Sequence, residues 1–399
     1  MEGLEVSKFI NVGMFPSFEV TNIFEKLKSD FDSGRFPWVG SYKDFALGYI
    51  TFASSLHALV DSVARPVGSF VVGSTSSGKS QFLEAICQLF PEEMIFNLTS
   101  VSPKSLIYHC KHDSHYLNGK VVFIEELSAL RDEDIQYLLR VLVTKGWARH
   151  TTVQGGEVQV FDIVGKISLQ STGLKSDVLR DDTMNRMVIF SSDDSNERTS
   201  QVINAIKKRY IDIESDPKRS DSFADYKGFF RDLKPYRVSI PYADRIEVKV
   251  SNTENRRLIK IFMDLLTSVT LLNQGRRMLD EESQVLISEE EDFEVLHSLI
   301  SAEMDSNVDL KLNRSEQAVY EKIIALDGQH QFTVDSLKKE RPGFIEGKFA
   351  GYGVTTIKNS IKTLLDLDLI RSDKIGKKIH YQLNNCSLGN RWGVVGLSR

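Results

Sequence analysis

Only three cysteines occur in 399 residues, Cys87, Cys110 and Cys386, far apart and in no metal-ligand spacing. That excludes a disulfide-stapled scaffold and a cysteine zinc site, and the thiols read as ordinary ones in a reducing cytoplasm. No apolar run approaches the roughly 18 residues a spanning helix needs. The first residues lack the basic-then-apolar form of a secretion signal, so a cytoplasmic, membrane-free protein is expected. A net charge of -5 leaves no global basic field. Any nucleic-acid contact must therefore rest on local clusters of Lys and Arg. Internal repeats and low-complexity tracts are missing too. The 41% hydrophobic content is enough for a sizeable core divided among two or three domains.

What the chain does contain is Gly73-Ser74-Thr75-Ser76-Ser77-Gly78-Lys79-Ser80, directly after the apolar run Phe70-Val71-Val72. This is a complete phosphate-binding loop. Its glycines let the backbone curl so that several amides point at one anion, and the helix-forming stretch from Gln81 to Phe90 follows. Gly73, Ser74, Ser76, Ser77, Gly78 and Gln81 are assigned to the cradle. Lys79 is expected to reach the β- and γ-phosphates and Ser80 to ligate Mg²⁺, so the chain is read as binding a nucleoside triphosphate, ATP, with Mg²⁺.

A second apolar run, Val121-Val122-Phe123-Ile124, ends in Glu125-Glu126, 46 residues after Lys79. A hydrolytic nucleotide site needs acids there, one for the metal shell and one to polarise the attacking water. Glu125 stands where an Asp is usual, and the two roles stay open between Glu125 and Glu126. A helix from Asp132 to about Lys145 then leads into two alternating β-prone runs, 147–153 and 158–164, around Gly155-Gly156, the pattern of a hairpin. The strand 166–172 ends in polar residues, where Thr172 or Ser171 could sense the γ-phosphate, with Gln170 a third candidate. Arg180 and Arg186 precede the apolar strand 187–190. An arginine there can project into a neighbouring subunit's site and offset transition-state charge, and Arg186 is the preferred one.

This succession resembles the AAA+ ATPases, and within them the minichromosome-maintenance branch of ring helicases. It is also similar to the helicase part of primase-helicase replication proteins of bacterial mobile elements. The resemblance is carried by 73–80, 121–126, the hairpin at 147–164, the strand 166–172, Asn185-Arg186-Met187-Val188-Ile189-Phe190 and Asp193 to Glu197, and covers roughly 65–280. It implies an α/β fold, a three-layer αβα core at 66–200 with a helical lid, and action on single-stranded or forked DNA as a homo-hexamer. It also implies that Arg186 is a trans-acting finger. Residues 255–277 look like the lid helix, with Arg256 or Arg257 as a second nucleotide-sensing arginine. The family's hairpin carries a cation at its tip. Here the tip is Gln154-Gly-Gly-Glu157, and Arg149 and His150, nearer the base, are the candidate DNA contacts.

The flanks complete the expected plan. Residues 1–65 should form a mainly helical region. Residues 201–300 should hold the lid and an acidic linker, with Asp280 to Glu294, eight acids and no base, read as a solvated helix face or linker. Residues 312–384 read as a winged helix, with helices at 315–326, 333–340 and 354–367 and a basic hairpin after them, and 385–399 as a tail. Twelve Lys and Arg stand against nine Asp and Glu over 314–384. Val354, Ile357, Ile361, Leu364 and Leu365 share one face of the third helix. Lys358, Lys362, Lys374, Lys377 and Lys378 are left as candidate DNA contacts. The chain contains no primase signature, so a separate primase or initiator is a possible partner.

Overall fold

The computed structural model describes residues 9–11, 22–98, 108–125, 133–154, 157–173, 187–193, 195–211, 223–248, 255–311, 315–316, 319–320, 323, 354–366, 370–375, 378–383 and 394–398. In chain order the regular elements begin with β1 (Phe9–Asn11), α1 (Ile23–Asp32), α2 (Tyr42–Ala53), β2 (Gly68–Val72), α3 (Lys79–Cys87), β3 (Ile95–Leu98) and β4 (Val121–Ile124). Then come α4 (Glu133–Lys145), β5 (Trp147–Gln154), β6 (Glu157–Val164), β7 (Ser168–Gly173), β8 (Met187–Ser191), α5 (Asn196–Ile211) and α6 (Ala224–Asp232). The remainder are β9 (Arg237–Ser239), β10 (Ile246–Val248), α7 (Asn255–Leu272), β11 (Met278–Asp280), β12 (Val285–Ile287), α8 (Glu290–Lys311), α9 (Val354–Asp366), β13 (Ile370–Ile375), β14 (Lys378–Leu383) and β15 (Val394–Leu397).

The centre is a five-stranded sheet in the order β3-β4-β7-β2-β8, with every neighbouring pair parallel. β2, β4 and β7 are buried at every position, which is why β2 and β4 read as continuous apolar runs rather than alternating ones. The strand period of two still sorts their side chains. Val71, Val121, Phe123, Val188 and Phe190 enter one core with α1, α2, α3 and α7. Phe70, Val72, Val122, Ile124, Met187 and Ile189 enter a second core with Leu139 and Leu142 of α4. Two cores on opposite faces make an α/β, helix–sheet–helix sandwich.

Residues 22–59 pack against the sandwich. From Phe45 to Leu56 each side chain is buried, so α2 is enclosed on all sides after its first turn. Phe31, Phe36, Trp38 and Phe45 form an aromatic group that extends to Phe82 of α3 and to Phe223 and Tyr226. Full burial of each such ring is worth roughly 2–3 kcal/mol, so this group secures the N-terminal helices to the sandwich. Arg35 adds ion pairs to Asp30 at 2.7 Å and Asp225 at 2.9 Å.

Three further segments gain a place in the fold. In the segment 255–277, expected as a helical lid, Leu258, Phe262, Leu265, Leu266 and Val269 of α7 lie in the same core as α2. Its amphipathic pattern marks a buried face, and that face meets α2. The acidic stretch 280–294, expected as a solvated helix face or a linker, holds strands and a helix. It forms the β11–β12 turn and starts α8, and Asp292 is fully buried. Asp292 accepts from Arg277 Nη2 at 2.6 Å, Arg277 Nε at 2.9 Å and Asn273 Nδ2 at 2.8 Å. The segment 385–399 is not simply a tail, because β15 pairs antiparallel with β10.

At the C-terminal side, α9 buries Ile357, Ile361 and Leu364, and leaves Lys358 and Lys362 exposed, as its pattern predicts. β13 and β14 form the expected antiparallel hairpin. The helix expected at 333–340 and Lys377 lie outside the described residues, as do the side chains of Lys374 and Lys378. Among the described residues no helix is long and apolar enough to cross a membrane.

Candidate nucleotide-binding site

β2 stops at Val72 and the chain turns through the Gly73–Gly78 loop into α3. Two residues make the turn left-handed, Ser76 at φ 67° and Gly78 at φ 85°. The second is the N-cap of α3, and no side chain caps that end. The first amides of the helix are thus without an internal acceptor, the arrangement that favours an anion. Gly73 is fixed by crowding: a β-carbon there would fall 1.6 Å from Ser192 Oγ and 2.8 Å from Ser77 Oγ. Ser77 Oγ donates to the Ser74 carbonyl at 2.9 Å and Lys79 Nζ to the Gly73 carbonyl at 3.1 Å. The Lys79 ammonium is therefore held at the mouth of the loop. Ser80 sits in the first turn of α3, half-buried.

The acid comes from two strands away. β7 lies between β2 and β4, with Val71 opposite Thr172 and Ile124 opposite Ser171. With strands about 4.8 Å apart, the backbone of Glu125 is roughly 10 Å across the sheet from the start of the loop, room for phosphates, a metal ion and water. Glu125 is exposed at the end of β4. Ser171 Oγ donates to the Ile124 carbonyl at 2.7 Å, and Thr172 Oγ1 donates to the Glu125 carbonyl. Gln170 is ruled out as the sensor. It is fully buried, donates to Ser168 Oγ at 2.7 Å and accepts from Ser69, inside the sandwich.

The structure revises other assignments. Gln81 turns its side chain to the Pro37 carbonyl at 2.8 Å, so it ties α3 to the N-terminal segment. Arg256 and Arg257 line a cleft with Arg65, Pro66 and Val67, ahead of β2. The loop follows the other end of that strand, roughly 20 Å of extended chain away. Neither arginine lies beside the loop of its own chain. Arg149 pairs across the hairpin with Asp162, Nε to Oδ1 at 2.7 Å and Nη2 to Oδ2 at 3.0 Å, rather than standing free. β5 and β6 otherwise pair in full register from Trp147↔Val164 to Gln154↔Glu157. Glu126, Arg180 and Arg186 lie outside the described residues, as do Gly155 and Gly156 at the hairpin tip.

Beside the loop lies a cleft of about 350 Å³ that the sequence did not announce. Ser77, Gly78, Lys79 and Phe82 form one wall, Trp38, Ser41 and Asp44 the second, and Ser192, Asp193, Arg198 and Gln201 the third. The Arg198 guanidinium lies 5.3 Å from the Trp38 ring centre. Burial pushes the Asp44 carboxyl up to about 6 and holds the Arg198 guanidinium below its usual value. An aromatic plane with polar groups around it, next to a phosphate loop, suits the base and sugar of a nucleotide. The only sequence signal was the cap at the start of α5, where the Ser195 amide donates to Asp193 Oδ1 at 2.9 Å.

Ser80 and Glu125 fit the hard oxygen donors of a nucleotide-borne Mg²⁺, which keeps most of its shell for phosphate and water. Among the described residues, no group of three His, Cys, Asp or Glu could hold a metal without a nucleotide.

The scan of protein families agrees with this geometry. Residues 50–234 match the family described as MTBMA_p00010 P-loop domain. The match starts within α2 and ends just after α6, so it takes in the whole parallel sheet, the loop and Glu125. A comparison with curated proteins finds no match. The chain carries a P-loop domain, consistent with a P-loop NTPase.

Proposed function

We propose that the protein is an ATPase that acts on DNA as an oligomeric ring, with a separate primase or initiator as its partner. The observation that carries the ATPase part is the Thr172-to-Glu125 bond. It holds an acid-tipped strand at a fixed offset from the phosphate loop. Lys79 and the α3 amides would bind the β- and γ-phosphates. Ser80 would complete the shell of Mg²⁺, which neutralises charge building on the phosphates. Glu125 or Glu126 would orient and deprotonate the attacking water.

The ring is supported by α5. Its first turns border the nucleotide cleft at Arg198 and Gln201, and it then exposes Ile203, Ile206 and Tyr210 at helical spacing. A second copy covering that stripe would sit beside the nucleotide, where its Arg186 could reach the γ-phosphate. A hexamer with the β5–β6 hairpins in its pore, and Lys358 and Lys362 of α9 on DNA, is the arrangement proposed. ATP-driven unwinding of a forked oligonucleotide tests it: activity should vanish in Lys79→Ala, and unwinding that survives this change would refute it.

A second reading drops unwinding and keeps a DNA-bound, ATP-driven remodeller. It is favoured by the hairpin, where Asp162 neutralises Arg149 and Val158 and Val160 are exposed. ATPase stimulation by duplex and not by single strands would select it.

A further inference from the structure

Around the start of β2 the chain gathers cations from four separate segments. Arg65, Arg256, Arg257 and Lys260 line a cleft of about 150 Å³ with Val143 and Thr144 at the end of α4. Lys145 is exposed next to Thr144. Lys166 packs against Gly146, where an added β-carbon would meet its Cγ at 2.6 Å. The one acid lining the cleft is Asp264, 6% exposed, which accepts from the Arg65 amide at 3.1 Å and lies 3.9 Å from Lys260 Nζ. Among the described residues Arg256, Arg257 and Lys145 have no hydrogen-bond or ion-pair partner, and no acid stands in the first turn of α7 to offset them. In a chain of net charge -5 this is a marked local excess of positive charge.

The nucleotide cannot be the anion it serves, because the phosphate loop follows the far end of β2. The cleft instead adjoins the hairpin: α4 ends at Thr144 and Lys145, and Gly146 alone separates it from Trp147 of β5. Trp147 and Tyr137 are 46% and 59% exposed, with the Arg149 guanidinium 5.5 Å from the Trp147 ring centre. A cluster of cations followed by exposed aromatic rings, each with an arginine on one face only (Arg149 over Trp147, Arg140 over Tyr137), is what a single strand needs, phosphates on the first and unstacked bases on the second.

We infer that the face formed by Arg65, Lys145, Arg256, Arg257 and Lys260 binds the phosphate backbone of single-stranded DNA and delivers the strand to the base of the β5–β6 hairpin. This rests on the proposal that DNA is the partner, and adds where the strand lies. Arg256 and Arg257 thereby become strand-binding residues.

The test is fluorescence anisotropy of a labelled oligothymidylate with the full chain, titrated over a range of salt, alongside binding of a fluorescent ATP analogue. Arg256→Ala/Arg257→Ala should weaken DNA binding by about tenfold or more. It should also lower the slope of log affinity against log salt by about 1.4, two phosphate contacts on a single strand. Arg256→Lys/Arg257→Lys should keep the slope, and ATP affinity should be the same in all three proteins. If the wild type binds the oligonucleotide and the double Ala variant, shown folded by circular dichroism, binds it equally with the same slope, this face is not the site although DNA remains the partner. Lost ATP binding with DNA affinity intact would equally overturn the inference. If the wild type does not bind the oligonucleotide at all, the DNA reading itself fails, and this inference with it.

Discussion

The hydroxyl of Thr172 on β7 donates to the main-chain carbonyl of Glu125, one residue beyond the end of β4. A side chain on the strand next to the phosphate loop thus sets the height at which the acid leaves the sheet. Removing the hydroxyl should move the carboxylate without touching the phosphates. Thr172→Val should lower kcat by about 100-fold, the usual effect of a small misplacement of a catalytic group, with KM for ATP nearly unchanged. Thr172→Ser should restore most of the rate. Steady-state ATP hydrolysis with all three proteins checks it.

Gly73 and Ser192 touch so closely that the loop tolerates no β-carbon. Gly73→Ala should weaken ATP binding by at least about tenfold, equivalent to 1.4 kcal/mol, in a protein that remains folded. Adding Ser192→Gly should recover part of the loss, since it removes the atom at 1.6 Å and leaves Ser77 Oγ at 2.8 Å. Equilibrium binding of a fluorescent ATP analogue distinguishes the two variants.

The Arg277–Asp292 pair is the buried charge on which the β11–α8 region depends. Asp292→Ala leaves the Arg277 guanidinium, 1% exposed, without its principal partner. A loss of about 3–5 kcal/mol is expected from such a removal. Arg277→Met/Asp292→Leu should regain most of it, because neither charge is then left alone. Chemical denaturation of the three proteins measures the difference.

Asp264 contributes stability that is lost as pH rises. Burial raises its carboxyl to about 7 from the ordinary 3.8. The folded chain therefore holds a proton that the unfolded chain releases, and each step upward between about pH 4 and pH 7 favours unfolding. Asp264→Asn keeps an oxygen to accept from the Arg65 amide and has no proton to lose. Thermal melts should coincide for the two proteins near pH 4 and diverge towards pH 7, with the variant the more stable.

How much of this was readable beforehand depends on whether the signal was local. The loop at 73–80, the acid-ended run 121–125 and the hairpin 147–164 are each written in adjacent residues, and the structure forms them there. Strand order is legible only in part, since β4 and β7 pair across more than 40 residues. The periodicity of α7 shows that one face is buried but carries nothing about its neighbour. The pattern suits a lid helix as well as a buried one, and only the fold shows that its start lies at the far end of the sheet from the loop. The acids of 280–294 were counted as a charge run, and counting cannot reveal that Arg277 buries one of them. Trp38 and Arg198 are 160 residues apart with no shared pattern, so only the fold brings them to one cleft.

ATP hydrolysis by the wild type, Lys79→Ala and Glu125→Gln, followed as single turnovers at several protein concentrations, tests most directly whether loop and acid strand make one catalytic site. The wild type should turn over ATP, at a rate per chain that rises with concentration as subunits meet. Lys79→Ala should neither bind nor hydrolyse it, and Glu125→Gln should bind it with hydrolysis sharply reduced. Hydrolysis by Lys79→Ala at the wild-type rate would contradict the assignment outright.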